Sequence, residues 1–142
     1  MSTITADLTE GYLVAITNGR HHWRGDEPVS AGGTDDGPTP YELLLGAVAA
    51  CTCITLAMYA QRKEIHVTSI SARYTYDKLH ADDCGFCEED ARGFMDTVTS
   101  EIFVEGEFSD EARAKLADIA TRCPVHRTLE RGITFADRVV IG

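Results

Sequence analysis

The sequence predicts an α+β fold in a single domain over residues 1–142, with an antiparallel sheet and one long, buried central helix. One stretch, Ile70–Tyr76, alternates apolar and polar residues, which is typical of a half-buried strand. Another, Tyr12–Arg24, contains an Asn-Gly pair, which is typical of a hairpin turn. One continuous apolar stretch is too long for a strand and indicates a helix. The predicted order is strands, helix, strands, helices and a final strand, which is the order of an α+β protein.

The first predicted element is a hairpin. Tyr12–Thr17 has the composition of a strand, and Asn18-Gly19 is a strong turn signal that sends the chain back through Arg20–Arg24. Asp26–Pro38 is rich in Gly, Asp and Pro, so we expect a loop there.

The central helix has a clear predicted start. Thr39 suits the N-cap, Pro40 suits the first helical position, and Glu42 completes a Thr-x-x-Glu capping box. Apolar residues then fill nearly every position to Tyr59, and the positive charge of Lys63 marks the expected end. The apolar stretch is short for a membrane span and lacks interfacial anchors at its start. We therefore predict a helix at the centre of the fold or in a dimer interface.

Two strands are expected after this helix. Apolar and polar residues alternate over Ile70–Tyr76, and a second strand is predicted over Met95–Glu105. The polar loop between them, Asp77–Gly93, is longer than a hairpin requires, and long loops are often functional.

The remaining elements are two helices and a closing strand. Ser109 is predicted to cap a helix that stops near Arg122, and a short helix begins at Pro124. Ile133–Ile141 has the composition of a strand that closes the sheet.

Charge and cysteine content restrict the function. The formal net charge is −10, so we expect no sequence-independent binding to nucleic acid or to an anionic membrane. Met1–Thr9 lacks the pattern of a signal peptide, which predicts a cytoplasmic protein. In that reducing compartment, five cysteines indicate reactive or metal-binding thiols rather than a disulfide framework. We expect no cofactor.

Three cysteines lie in or next to predicted helices. Cys51 and Cys53 fall inside the central helix, where a buried core cysteine is the ordinary interpretation. Two positions apart, they face different directions and cannot pair without unwinding the helix. Cys123 precedes Pro124 and is predicted to be an N-cap, where free backbone N–H groups and the helix dipole stabilise a thiolate. That position suits a nucleophile or a resolving thiol.

The Cys84-x-x-Cys87 motif in the polar loop leaves three interpretations open: a redox pair, part of a zinc site with His80, or a loop without function. Zinc normally takes four ligands, and only scattered candidates such as His66 remain for the fourth position. The acidic residues from Asp82 to Asp90 would oppose a thiolate.

Arg20, Glu42 and His126 are further candidates for a site near the thiols. Glu42 has a structural role in the capping box, and alternatively anchors an arginine. Arg20 could stabilise a thiolate and donate to a peroxide oxygen, although a turn arginine is usually solvated. His126 follows Cys123 by one helical turn, so its imidazole could assist the thiol; a Cys/His hydrolase would also need an orienting partner and an oxyanion hole.

Two motifs together resemble the OsmC/Ohr superfamily, the osmotically inducible protein C and organic hydroperoxide resistance proteins. They are GPTPYELLLGAVAACT (37–52) and, some seventy residues later, CPVHRTL (123–129). The order of elements agrees over most of the chain. The Asp-Glu-Pro of 26–28 and the Cys-x-x-Cys loop are similar to an OsmC-like branch rather than to the Ohr enzymes.

The resemblance implies an intertwined homodimer with two active sites at its interface. By position, Cys51 matches the peroxidatic cysteine and Cys123 the resolving one, and Arg20 matches the family's arginine by its turn. The implied reaction reduces an organic hydroperoxide, and an external dithiol, in Ohr-type members a lipoylated protein, restores the enzyme. Glu42 comes one residue later than the family's glutamate, where Tyr41 stands, which turns the side chain by about 100° on a helix.

Two other functions compete with the peroxidase. One is a binding module, in which the same pocket holds an apolar ligand and the thiols are incidental. The other is a dimer that senses redox state or zinc through His80, Cys84 and Cys87. The apolar helix favours alkyl or lipid hydroperoxides over hydrogen peroxide as substrate.

Overall fold

The computed structural model describes residues 1–142 and contains five strands and three α-helices. The strands are β1 (Thr5–Glu10), β2 (Leu13–Thr17), β3 (His22–Gly25), β4 (His66–His80) and β5 (Phe94–Glu107). The α-helices are α1 (Pro40–Arg62), α2 (Asp110–Ala120) and α3 (Pro124–Arg131), and short 3-10 turns cover Val29–Ala31 and Ala81–Asp83. Every strand pairing is antiparallel, which confirms the α+β class.

The chain forms two compact units, residues 1–46 and 47–142. The first contains a three-stranded sheet in the order β1-β2-β3. The predicted hairpin joins β2 to β3, where the side-chain oxygen of Asn18 accepts the backbone N–H groups of Arg20 and His21, at 3.0 and 2.8 Å. Gly19 takes a positive φ of 90°, a conformation that glycine adopts at little cost. Strand β1 was not predicted, because all six of its residues are exposed and carry no alternation.

Asp26 organises the predicted loop between β3 and α1. Its carboxylate, which is 3% exposed, accepts the Thr34 hydroxyl at 2.6 Å and the backbone N–H groups of Glu27, Thr34 and Asp36. The hydrogen bond from the Thr34 side chain contributes most to lowering the pKa of Asp26 to about 2, and the backbone donors add to it against the opposing effect of burial. One ionised side chain therefore fixes this loop.

Helix α1 begins with the predicted capping box. The Thr39 backbone N–H donates to Glu42 Oε2 at 2.8 Å, and the Glu42 N–H donates to Thr39 Oγ1 at 3.3 Å. The helix ends at Arg62, and Glu64 just beyond it has a left-handed φ of 54°. Local capping signals thus define both ends correctly.

Burial of α1 differs from the expected pattern. Only every fourth residue is fully buried (Val48, Thr52, Leu56 and Ala60), while Ile54 and Met58 are 58% and 65% exposed. By length and apolar composition alone, α1 could also cross a membrane, and 22% of its most apolar window is buried. The single chain therefore does not confirm a helix that is covered on most sides.

The second unit packs α1 and α2 against a long β4–β5 hairpin. The strands pair from His66 opposite Glu107 to His80 opposite Phe94, with one irregularity near Val67. The hydrophobic core of this unit has Leu56, Leu116 and Ala120 at its buried centre. Partly buried apolar side chains pack against these three: Tyr59, Ile65, Ile70, Ile102, Val104, Phe108 and Ile119.

The predicted closing strand Ile133–Ile141 is wrong for the single chain. Residues 132–142 have no regular secondary structure, and their large apolar side chains are 54% to 90% exposed (Ile133, Phe135, Val139, Val140 and Ile141). Strand composition produces a strand only where another strand supplies hydrogen-bond partners. No strand of the same chain pairs with this segment.

Candidate functional site

Cys51 lies half-buried at the midpoint of α1, directly before the point where the helix is joined to the sheet. That point is Thr52, which is fully buried and whose hydroxyl forms a 2.8 Å hydrogen bond with the hydroxyl of Tyr74 on β4. The bond joins helix and sheet beside the thiol. Cys53, also half-buried and free, is two positions further along the helix.

Cys123 occupies the N-cap of α3, as predicted. Its side chain is fully buried, and its Sγ accepts the backbone N–H of His126 at 3.3 Å. Pro124 fills the first helical position, where the absence of an N–H costs nothing. The sulfur atom thus accepts one of the backbone N–H groups that the start of a helix leaves without an intrahelical partner.

The His126 side chain has an orienting partner that the sequence analysis missed. Its Nε2 lies 3.2 Å from the Glu130 carboxylate, one helical turn further along α3. The imidazole side chain is 30% exposed. The spacing of four residues between His126 and Glu130 is the signal that could have identified the pair.

The structure keeps the candidate thiols free. Cys51, Cys53 and Cys123 are unpaired, and no disulfide joins Cys51 to Cys123. The assignment of one as nucleophile and the other as resolving thiol stays a prediction.

Arg20 and Glu42 take the positions that their local sequence predicts. The Arg20 side chain is exposed in the β2–β3 turn, and no ion pair joins it to Glu42. Glu42 caps α1 with one carboxylate oxygen, Oε2. The structural role of Glu42 is therefore observed, and the anchoring of Arg20 stays a prediction.

The zinc interpretation of the polar loop finds no geometric support. Cys84 and Cys87 form a disulfide with their Cα atoms 5.5 Å apart, so neither sulfur is a free thiolate ligand. The Nδ1 atom of His80 accepts the backbone N–H of Asp82 at 3.3 Å. No group of three or more His, Cys, Asp or Glu side chains is arranged to hold a metal ion. Of the interpretations left open, a redox pair and a loop without function both fit this arrangement.

An apolar groove lies beside Cys53 of α1. It has a volume of about 530 Å³ and is lined on one side by α1, including Cys53 and Ile54, and on the other by the segment from Ile65 to Ile70. Ligand pockets for small organic molecules typically have volumes of about 300–1,000 Å³. The groove is therefore large enough for an apolar ligand.

The family model for OsmC-like proteins matches residues 33–136, which is more than half of the chain. The chain belongs to the OsmC-like family. Both motifs that carried the resemblance, 37–52 and 123–129, lie inside the matched range. No curated protein matches the OsmC-like chain significantly.

Solved structures with a similar fold include three from this superfamily. The OsmC-like protein of Mycoplasma pneumoniae has a TM-score of 0.71 at 22% identity, over 92% of this chain and 87% of that one. The organic hydroperoxide resistance protein OsmC of Legionella pneumophila has a TM-score of 0.61 at 20% identity, over 89% and 87%. For the organic hydroperoxide resistance protein OhrB of Bacillus subtilis the values are 0.57 and 21%, over 89% and 88%.

Proposed function

We propose that this OsmC-like protein reduces organic hydroperoxides to alcohols, with Cys51 as nucleophile and Cys123 as resolving thiol. The observation that carries the proposal is the placement of Cys123, whose buried sulfur accepts an amide N–H at the start of α3. A free, half-buried thiol on α1 supplies the second partner. The names of the Legionella and Bacillus proteins, which are organic hydroperoxide resistance proteins, favour the same chemistry.

The reaction begins at Cys51. Its thiolate attacks one peroxide oxygen, the O–O bond breaks, and the departing alkoxide takes a proton to become the alcohol. Cys51 is left as a sulfenic acid. The Cys123 thiolate then attacks that sulfur, a disulfide forms, and hydroxide leaves and is protonated to water. An external dithiol, such as that of a lipoylated protein, reduces the disulfide by two exchange steps and is itself oxidised.

Arg20 and Glu42 have supporting roles in the proposal. The Arg20 guanidinium donates to the peroxide oxygen on which negative charge develops as the O–O bond breaks. Glu42 caps α1 through Oε2 and keeps Oε1 for the guanidinium. Peroxide activation by Arg20 and Glu42 is separable from the thiol chemistry, and substitution of either should slow only the first step.

A homodimer completes the proposed enzyme. Two features support it: the apolar α1 face that carries Ile54 and Met58 is exposed, and the apolar C-terminal segment 132–142 lacks a partner strand. A second copy of the chain would cover the exposed α1 face and supply a partner strand for the C-terminal segment. The apolar character of α1, which carries Cys51, favours alkyl or lipid hydroperoxides over hydrogen peroxide as substrates.

Steady-state kinetics test the proposed function. Cumene hydroperoxide is the substrate, dihydrolipoamide the reductant, and the rate of dithiol oxidation the readout. We expect Cys51→Ser to lower kcat/KM by at least about a thousandfold, because the nucleophile is lost. Cys53→Ser is the matched control on the same helix and should retain the rate. Equal loss in both variants, or none in either, would contradict the assignment.

A second candidate function is a binding module for an apolar ligand. It is favoured by the groove next to Cys53 and by the use of Glu42 in helix capping. A Cys51→Ser, Cys123→Ser double variant separates the two functions. Binding of a fluorescent fatty acid would survive in the double variant if the thiols are incidental, whereas peroxide reduction would not.

A further inference from the structure

The disulfide between Cys84 and Cys87 lies at the tip of the β4–β5 hairpin, in a segment that the proposed peroxidase does not use. The tip is closed by a 2.8 Å hydrogen bond from the Ala81 N–H to the Gly93 carbonyl. Both cysteines are half-buried, and Phe86 between them is 64% exposed. The disulfide is therefore accessible from solvent, which is typical of redox-labile rather than structural disulfides.

This disulfide is far from Cys51 of the same chain. The hydroxyl of Tyr74 contacts Thr52, the neighbour of Cys51, and six more residues of β4 lead to His80 at the start of the tip. At about 3.3 Å per residue these span roughly 20 Å. Exchange needs two sulfur atoms at bonding distance. Within one chain, the tip therefore forms a redox site separate from Cys51.

The surroundings of the disulfide are strongly negative. Five exposed carboxylates flank it: Asp82, Asp83, Glu88, Glu89 and Asp90. Arg92 is the one basic residue of the tip, and its guanidinium donates to the carbonyl oxygens of Glu89 and Ala91. Such a surface repels an anionic thiolate and attracts a partner with positive charge around its reactive group.

We propose that Cys84 and Cys87 form a second thiol–disulfide site, which is reduced by a protein dithiol with basic residues around its attacking thiol. The partner thiolate attacks one sulfur, the Cys84–Cys87 bond breaks, and a mixed disulfide forms while the other cysteine takes a proton. The second partner thiol then attacks the partner's own sulfur and releases the remaining cysteine as a thiol. Two electrons pass to the tip, and the partner dithiol becomes a disulfide.

The experiment compares a cationic with an anionic thiol, cysteamine and 3-mercaptopropionate, on the full-length protein. The free thiols are first blocked with iodoacetamide, and thiols that appear at Cys84 and Cys87 are then quantified by mass mapping. Rates are expressed per thiolate. The matched control neutralises the five carboxylates with Asn or Gln (D82N, D83N, E88Q, E89Q, D90N), which are surface changes that spare both cysteines.

We expect cysteamine to be favoured at least about tenfold more in the natural protein than in the neutralised variant at low ionic strength, with the difference shrinking in high salt. An equal preference for cysteamine in both proteins would contradict the proposal that the reducing partner carries basic residues around its thiol. Free thiols at Cys84 and Cys87 in air-oxidised protein, or a disulfide that resists both reagents, would overturn the site itself. In Cys84→Ser, Cys87→Ser protein, peroxide treatment should give the same disulfide between other cysteines as in natural protein; a change there would overturn the independence of the site. None of these readouts except the last depends on peroxide reduction, so failure of the proposed peroxidase would be seen separately.

Discussion

The hydroxyl groups of Thr52 and Tyr74 lie 2.8 Å apart and join α1 to β4 one residue after Cys51. Thr52 is fully buried, and Tyr74 is partly buried on the sheet face that packs toward the helix. The helix that carries the candidate nucleophile is thus fixed to the sheet by a polar bond inside an otherwise apolar contact.

Removing both partners of this bond should cost less than the two single removals added together. We expect Thr52→Val or Tyr74→Phe alone to lower the free energy of unfolding by about 1–2 kcal/mol, because a buried hydroxyl is left unpaired. The Thr52→Val, Tyr74→Phe double variant should lose less than the sum of the two. Urea denaturation of all four proteins measures the coupling, and simple additivity would show that the bond contributes nothing.

The capping carboxylate of Glu42 predicts a separation of stability from activity. Glu42→Gln retains an oxygen that accepts the Thr39 N–H, so its stability should stay within about 0.5 kcal/mol of the natural protein, whereas Glu42→Ala should lose about 1 kcal/mol. If Glu42 also anchors Arg20, both variants lower kcat/KM for cumene hydroperoxide. Natural activity in Glu42→Gln would restrict this residue to capping.

Asp26 predicts a specific acid sensitivity. Its pKa is lowered to about 2 in the folded protein, mainly by the Thr34 hydroxyl, below the usual value of about 3.9 for an unfolded chain. The folded state therefore binds fewer protons than the unfolded state between these values. The resulting stabilisation is complete above about pH 4 and is lost as the pH falls through about 2.

Urea denaturation at several pH values between 4 and 2 tests this dependence. In Asp26→Asn the part of the pH slope that Asp26 contributes should disappear. Asp35→Asn, in the same loop, is the control and should keep the natural slope. Identical slopes in all three proteins would rule out Asp26 as the titrating group.

Local signals predicted most of the fold. Three local features depend only on residues that are close in the sequence, so they can be predicted from it: the capping box at Thr39 and Glu42, the N-cap at Cys123 and the Asn18-Gly19 turn. The strand assigned to Ile133–Ile141 failed because a strand also needs a partner, which the single chain lacks.

Features that depend on tertiary contacts were harder to predict from the sequence. The spacing of Cys84 and Cys87 is compatible with zinc or with a disulfide, and only the fold shows that the sulfur atoms meet. The burial of α1 could not be predicted either, because apolar positions all around a helix do not indicate which face the same chain covers.

The exposed face of α1 predicts how the oligomer can be broken. Ile54 and Met58 are more than half exposed, and a charge at either position would be buried unpaired in a dimer interface. We expect Ile54→Glu to sediment at 15.5 kDa and the natural protein at twice that mass. Lys115→Glu, on the exposed side of α2, should sediment as the natural protein does. A monomeric natural protein would contradict the proposed homodimer.

The central claim is the link between Cys51 and Cys123, and it is tested most directly by mapping disulfides before and after one equivalent of cumene hydroperoxide. The account predicts that two of the three free thiols disappear, that Cys53 stays free, and that a Cys51–Cys123 peptide pair appears. In Cys123→Ser protein, Cys51 should instead be trapped by dimedone as a sulfenic acid. Three free thiols that persist after peroxide would contradict the account.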